Sequence, residues 1–247
     1  MQKSKKNKFT IIGGPCAVES RFQVETTYRT IYKHIDVFRA GVWKGRTYPD
    51  SYSGYGDGAL DWLMQLQSKY SKPVAVEVGT AKHVALALKH NINIVWIGAR
   101  TTVNSFYVQE IAEALRGTEA ELWVKNPIYA DLNLWYGAIN RMSQVGIKDI
   151  KAIHRGFFSE NDLKYRNSPR WELVNIFRGF FPDIPVICDP SHISGKSNLL
   201  ESLSIKAIEE NMNGLMVEVH NNPKQARSDV SQQITPLKFI DLVHKIM

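Results

Sequence analysis

The sequence predicts a single (β/α)8 TIM barrel over residues 1–247, on three observations. Eight short apolar runs alternate with amphipathic stretches, which implies parallel strands joined by right-handed crossovers. Chargeable residues close most of those runs: Cys16, Lys44, Arg100, Lys125, Arg155, His192 and Glu218 all fall at predicted carboxyl ends. A barrel gathers such ends on one rim, where active sites are built, whereas the rival doubly wound open sheet would spread them along a line. Lastly, the Gly and Pro clusters coincide with the βα loops and no linker composition interrupts the chain. One catalytic domain, with no appended regulatory domain, is therefore expected.

The runs occupy residues 10–16, 36–44, 73–79, 93–100, 122–127, 150–156, 185–191 and 214–220. Their Val, Ile and Leu content suits parallel strands covered on both faces. Apolar positions at helical spacing predict helices over 57–70, 82–90, 105–116, 132–144, 171–180 and 199–211, and a last one over 237–247.

At 44% hydrophobic the chain can bury a sizeable core. No apolar run approaches the roughly 20 residues of a membrane-spanning helix, and FTII at 9–12 is too short for a signal-peptide core, so a cytoplasmic protein is expected. Two cysteines, Cys16 and Cys188, make no disulfide framework. Thirty-one Lys and Arg against 24 Asp and Glu give a charge of +7, which suits anionic partners. That charge is scattered apart from KSKKNK at 3–8, read as a solvated terminus, and no nucleic-acid-binding signature accompanies it. Walker, HExxH and nucleophile-elbow motifs are absent from the sequence.

Two constellations carry chemistry. Cys16 in GGPCAVES, His192 in CDPSH, Glu218 in VEVH and Asp229 in RSD are four candidate metal ligands. A thiolate, an imidazole and two carboxylates suit Mn, Fe, Co or Zn, whereas Mg favours oxygen alone. Taken singly, each has a structural alternative: a small buried hydrophobe for Cys16, a satisfied loop residue for His192, a cap for Asp229. Their coincidence on one rim favours the site. The second constellation is cationic: Arg39, Lys44, Arg46, Arg100, Lys125 and Arg155 converge on the same rim. Such charges would repel unless an anion, a phosphate or carboxylate, bound there. The Gly- and Tyr-rich loop at 45–58 can close over that ligand, and its Gly54, Gly56 and Gly58 do not match a dinucleotide fingerprint.

In order and spacing, GPCAVES, RAGVWKGRT, IGART, VKNP, HRG, DPSH, VEVH and SDVSQQ resemble the 3-deoxy-D-arabino-heptulosonate 7-phosphate (DAHP) synthases, specifically the short type I branch, over nearly the whole chain. The resemblance implies condensation of phosphoenolpyruvate with erythrose 4-phosphate, the entry to the shikimate pathway and chorismate. It implies Cys16, His192, Glu218 and Asp229 as ligands of a divalent metal. Arg100, Lys125 and Arg155 would hold phosphoenolpyruvate with Lys44 and Arg39 nearby, and Arg46 and Thr47 would take up the aldose phosphate. Lys125, Lys44 and His192 are the catalytic candidates, Lys125 as general acid with a water on the metal as the alternative.

Three departures stand out. The family's Lys-Pro-Arg-Thr segment reads Lys44, Gly45, Arg46, Thr47 here, a permissive residue replacing a rigid one. His154 precedes Arg155 where relatives often carry another residue, and VKNP differs from forms with Lys-Arg after the strand. The rival readings are 3-deoxy-D-manno-octulosonate 8-phosphate synthase, acting on arabinose 5-phosphate, and a non-catalytic phosphate-binding relative. The octulosonate enzymes typically carry Asn-Arg where this chain has Arg46 and Thr47. A homodimer or homotetramer is expected from the resemblance. Regulation stays open between no control by aromatic end products, control by a separate chorismate mutase partner, and loss of a regulatory segment.

Overall fold

A computed structural model describes residues 8–247; most of the basic run at 3–8 lies outside the described residues. The strands are β1 (Thr10–Gly14), β2 (Val37–Ala40), β3 (Val74–Val78), β4 (Ile94–Ile97), β5 (Glu121–Lys125), β6 (Ile150–His154), β7 (Val186–Cys188) and β8 (Gly214–Glu218). They are hydrogen-bonded in sequence order, all parallel, and close with β8 against β1. The predicted barrel is thus the observed fold. Helices α1 (Arg21–Ile31), α2 (Ala59–Tyr70), α3 (Ala81–Lys89), α5 (Ser105–Leu115), α6 (Leu132–Gln144), α7 (Trp171–Phe180), α9 (Leu200–Glu209) and α10 (Pro236–Ile246) form the crossovers and the closing helix. Two further short helices, α4 (Ala99–Thr102) and α8 (Pro190–Ser194), sit directly on the ends of β4 and β7. No helix among the described residues is long and apolar enough to cross a membrane.

Local chemistry explains where the helices begin. Ser20, Thr80, Asn104, Asp131 and Thr235 each accept a hydrogen bond from the first turn of the helix that follows. Pro190 opens α8 and Pro236 opens α10, positions that need no backbone donor. Helix α1 joins the helices predicted above; its buried face is Gln23, Val24, Thr27, Tyr28 and Ile31.

Successive strand residues point to opposite faces, so each strand feeds two cores. One side packs under the helices, with Phe38, Val76, Ile97 and Leu122 among its members. The other fills the barrel with Ile12, Val37, Ala75, Trp96, Trp123, Ile153, Ile187 and Met216. Two residues further along six of these strands, on the same inward face, stand Arg39, Glu77, Lys125, Arg155, Asp189 and Glu218. An apolar plug thus supports a polar ring one pleat above it. After Trp96 the ring position is Gly98, where a Cβ would lie 2.4 Å from Glu77 Oε1; that gap lets the carboxylate lie across.

The run predicted at 36–44 is shorter than expected. β2 stops at Ala40, and the chain turns at Gly41, whose Cβ would collide with the Cys16 carbonyl oxygen at 2.0 Å. Lys44 accordingly reaches the site from a loop rather than a strand end. Arg100 rides on α4 and His192 on α8, so these two also lie beyond the strands that the sequence assigns them to.

Candidate active site

The carboxyl-terminal rim encloses a cavity of about 310 Å³. Lys44, Arg46, Glu77, Arg100, Lys125, Arg155, Arg166, Asn167, His192 and Asp229 all face it. Beneath its floor lie Cys16 and Glu218, both fully buried.

Ligand atoms of Cys16, Glu218 and Asp229 lie within 4.8 Å of one another. Cys16 Sγ donates to Asp229 Oδ2 at 2.9 Å, and Gln233 Oε1 accepts from the Cys16 backbone N–H at 3.1 Å. Glu218 is held by Gln232, whose Nε2 donates to Oε2 at 2.7 Å, while Ser191 Oγ accepts from its backbone N–H at 2.9 Å. His192 stands at the edge of this trio, its Nε2 3.7 Å from Glu218 Oε1. Its Nδ1 lies 2.8 Å from Asp189 Oδ2, which leaves Nε2 on the Glu218 side.

These residues fit a divalent ion. Glu218 Oε1 is buried without a hydrogen-bond partner. Burial, reinforced by the Glu218 charge, pushes the Cys16 thiol well up, so the thiol holds its proton until a cation replaces it. Burial lowers His192, favouring the neutral imidazole that ligates metals.

The cations are not left to repel one another, contrary to the expectation from sequence. Arg39 lies 3.2 Å from Glu218, Lys44 donates to Glu77 at 3.1 Å, and Lys125 donates to Asp189 at 2.8 Å. Arg166 donates to Asp229 at 2.7 Å and to Gln232 at 2.8 Å. Carboxylates from other strands neutralise the innermost charges, so repulsion among them is weaker than the sequence suggests. Arg39, Lys44, Arg46, Arg100, Lys125, Arg155 and Arg166 face only Glu77, Asp189, Glu218 and Asp229, however, which leaves an excess of three positive charges. An anion is still favoured there.

Arg155 is aimed by amides. Its backbone N–H donates to Asn126 Oδ1 at 2.7 Å, and its Nη1 donates to Asn167 Oδ1 at 2.8 Å. Burial lowers its pKa to about 10, which leaves it charged at neutral pH. Arg100 Nη2 donates to Thr47 Oγ1 at 3.4 Å, tying the two predicted substrate segments together. At Gly45 an added Cβ would meet nothing within 4 Å, so glycine is not demanded by space at the departure noted above. His154 points away from this chemistry: it is buried against Trp171 and Phe157, and burial drives its pKa down to about 3.

The profile of the DAHP synthetase I family matches residues 1–246. This chain belongs to the DAHP synthetase I family. It is 29% identical over 239 residues to the phospho-2-dehydro-3-deoxyheptonate aldolase of Thermotoga maritima, covering 96% of this chain and 69% of the relative. A 2-dehydro-3-deoxyphosphooctonate aldolase from Desulfotalea psychrophila is 27% identical over 259 residues, covering 96% and 88%. The crystal structure of the Thermotoga maritima aldolase superposes with a TM-score of 0.86 at 27% identity over 97% of this chain and 68% of that one. A truncated form of 3-deoxy-D-arabino-heptulosonate 7-phosphate synthase from the same organism gives 0.83 at 25% identity, covering 97% and 86%.

As a member of the DAHP synthetase I family the chain is an enzyme of the 3-deoxy-7-phosphoheptulonate synthase type. The sequence reading singled out most of the cations around the cavity and the candidate ligands but not Glu77, Asp189, Arg166, Asn126 and Asn167. Two of these carried a readable signal. Glu77 and Asp189 stand two residues after Ala75 and Ile187, the offset that Lys125 bears to Trp123 and Glu218 to Met216.

Proposed function

We propose that this DAHP synthetase I family member condenses phosphoenolpyruvate with erythrose 4-phosphate and water to give DAHP and inorganic phosphate. The reaction is the first step towards shikimate and chorismate. One observation supports the reading: the Cys16, Glu218 and Asp229 group adjoins, through Asp229, the 310 Å³ cavity that the surplus of positive charge lines. Residues 8–247 act as one catalytic domain.

In this reading Arg100, Arg155 and Lys125 hold the phosphate and carboxylate of phosphoenolpyruvate. Arg46 and Thr47 meet the aldose, and Lys44 and Arg39 sustain the field beneath them. Two phosphorylated reactants that repel in water are thereby brought within reach. A divalent ion held by Cys16, His192, Glu218 and Asp229 would act as a Lewis acid towards the aldehyde oxygen. Carbon 3 of the enol attacks the aldehyde carbon, water adds at carbon 2, and the tetrahedral species releases phosphate by carbon–oxygen cleavage. Lys125 is suited to give the proton. Burial lowers its pKa, partly offset by Asp189, which makes its ammonium a stronger acid than a solvated lysine while the hydrogen bond fixes its direction.

The test is phosphate release from phosphoenolpyruvate, measured in parallel with erythrose 4-phosphate and arabinose 5-phosphate on chelated protein with and without Mn, Fe, Co or Zn. Turnover is expected with erythrose 4-phosphate and added metal. Faster turnover of arabinose 5-phosphate would transfer the chain to the octulosonate reading, and full activity after verified metal removal would sink the metal assignment. Release with neither aldose would leave the non-catalytic reading.

A further inference from the structure

Outside the cavity, Trp43 lies flat on His83, with ring centroids 4.1 Å apart and planes 2° from parallel. Its Nε1 donates to Asp57 Oδ1 at 2.8 Å. None of these three side chains lines the cavity. His83 is itself fixed to the end of β3: its Nδ1 accepts from the Gly79 backbone N–H at 3.2 Å, and Thr80 Oγ1 accepts from its own backbone N–H at 3.3 Å. Burial lowers the His83 pKa, which favours the neutral ring that this acceptor role needs.

The next residue points the other way. Lys44 faces the cavity and donates to Glu77 Oε2 at 3.1 Å, two residues before Gly79 on the same strand end. Two consecutive side chains therefore grip the end of β3 from its two faces, Trp43 from the side of the outer core and Lys44 from the barrel interior. The backbone around Trp43 is pinned to the returning arm of the loop: the Val42 carbonyl accepts from the Gly56 N–H at 3.1 Å, and the Lys44 N–H donates to the Ser53 carbonyl at 2.8 Å. That arm passes so near that a Cβ at Gly54, where φ is +93°, would lie 2.1 Å from the Val42 carbonyl oxygen. Asp57 ties its far end to the Trp43 ring. Past Lys44 this control stops. Gly45 stands in open space and constrains the backbone least of any residue, while Arg46 is held separately, its Nε donating to the Tyr52 carbonyl at 2.7 Å. The direction of Lys44 is thus set from the Trp43 side.

We propose that Trp43 is a positioning residue for Lys44: its stack on His83 and its bond to Asp57 fix the direction from which the ammonium enters the cavity. The proposal rests on the reading that Lys44 serves phosphoenolpyruvate. A cation misplaced by about 1 Å loses much of its hold on a bound anion, and Gly45 keeps such a disturbance from reaching Arg46 and Thr47.

Calorimetric titration with phosphoenolpyruvate and steady-state kinetics of the metal-loaded enzyme test this. Trp43→Leu is expected to raise Kd and KM for phosphoenolpyruvate about five- to tenfold, with KM for erythrose 4-phosphate changing less than about twofold. Trp43→Phe keeps a stacking ring and should recover most of the loss, and His83→Ala should reproduce the defect from the other side of the stack. The decisive comparison is made in the Lys44→Met background. There Trp43→Leu should add less than about a further twofold, because the residue through which it acts is gone. A general loosening of the loop would instead raise both KM values together and add in full to Lys44→Met; either result overturns the proposal, as does an unchanged Kd in Trp43→Leu. If Trp43→Leu melts far below the parent, His83→Ala, altered at a half-buried position, carries the same comparison. Failure of the parent reading looks different: the unaltered enzyme would then bind no phosphoenolpyruvate and condense nothing.

Discussion

The buried ring and the outer lip of this rim use the same residue types under opposite conditions. In and beside the ring, Arg39, Lys125 and the loop residue Lys44 are nearly or wholly out of water, each matched to a carboxylate from a different segment. At the lip, Arg100 is exposed and leans on a threonine hydroxyl. A buried cation without a counter-charge costs several kcal/mol, so the ring carries its anions permanently and stands pre-aimed. An exposed cation is hydrated and can wait for the substrate to bring the charge. Direction is built into the ring, whereas capture belongs to the lip.

Lys125→Met tests that division most severely. It removes the proposed proton donor and strips buried Asp189 of its lysine partner, so kcat should fall by a factor on the order of 10² to 10⁴. Thermal or urea melting should show a loss of about 3–5 kcal/mol from the broken pair. A drop in kcat smaller than tenfold would remove Lys125, and with it the ring, from the chemistry.

The candidate metal group sharpens the comparison from the ring side. Cys16→Ala should weaken divalent-ion binding by about a hundredfold in competition with a chromophoric chelator, whereas Cys188→Ala, buried in β7, should bind as the parent does. Because burial holds the Cys16 proton on, the ion must displace it, and affinity should rise with pH by up to tenfold per unit around neutrality. Flat affinity between pH 6.5 and 8.5 would count against thiolate ligation.

The smallest effect belongs to the lip. Arg100→Gln should raise KM for phosphoenolpyruvate roughly five- to tenfold at nearly constant kcat, with stability within about 0.5 kcal/mol of the parent. A large loss of stability there would show that the lip is wired into the core after all.

Much of this was legible in the residues. Parallel strands covered on both faces write themselves as short aliphatic runs, and all eight were readable, together with the candidate ligands and the cations near their ends. What escaped did so for physical reasons. β2 ends at Ala40 because Gly41 must pass close to the Cys16 carbonyl, a contact between chain segments that no local pattern announces. Arg166 meets Asp229 across 63 residues from an irregular loop with no periodicity to betray its direction. Glu77 and Asp189 were readable but only through face alternation, since attention to the last residue of each run selects end positions rather than one side of the pleat. Two of the four neutralising carboxylates were missed for that reason, and the rim therefore looked more repulsive than it is.

The apolar plug one pleat below the polar ring has a further consequence. Because the spacing between them is a single backbone repeat, a one-residue slip in any strand would turn a reactive group outward beneath the helices and bring an aliphatic one into the cavity. Such a slip would also drive a charge into the layer that holds the helices on. A misassembled barrel would therefore be both inert and unstable, and the arrangement checks its own assembly: a molecule that closes at all closes with its chemistry facing the right way.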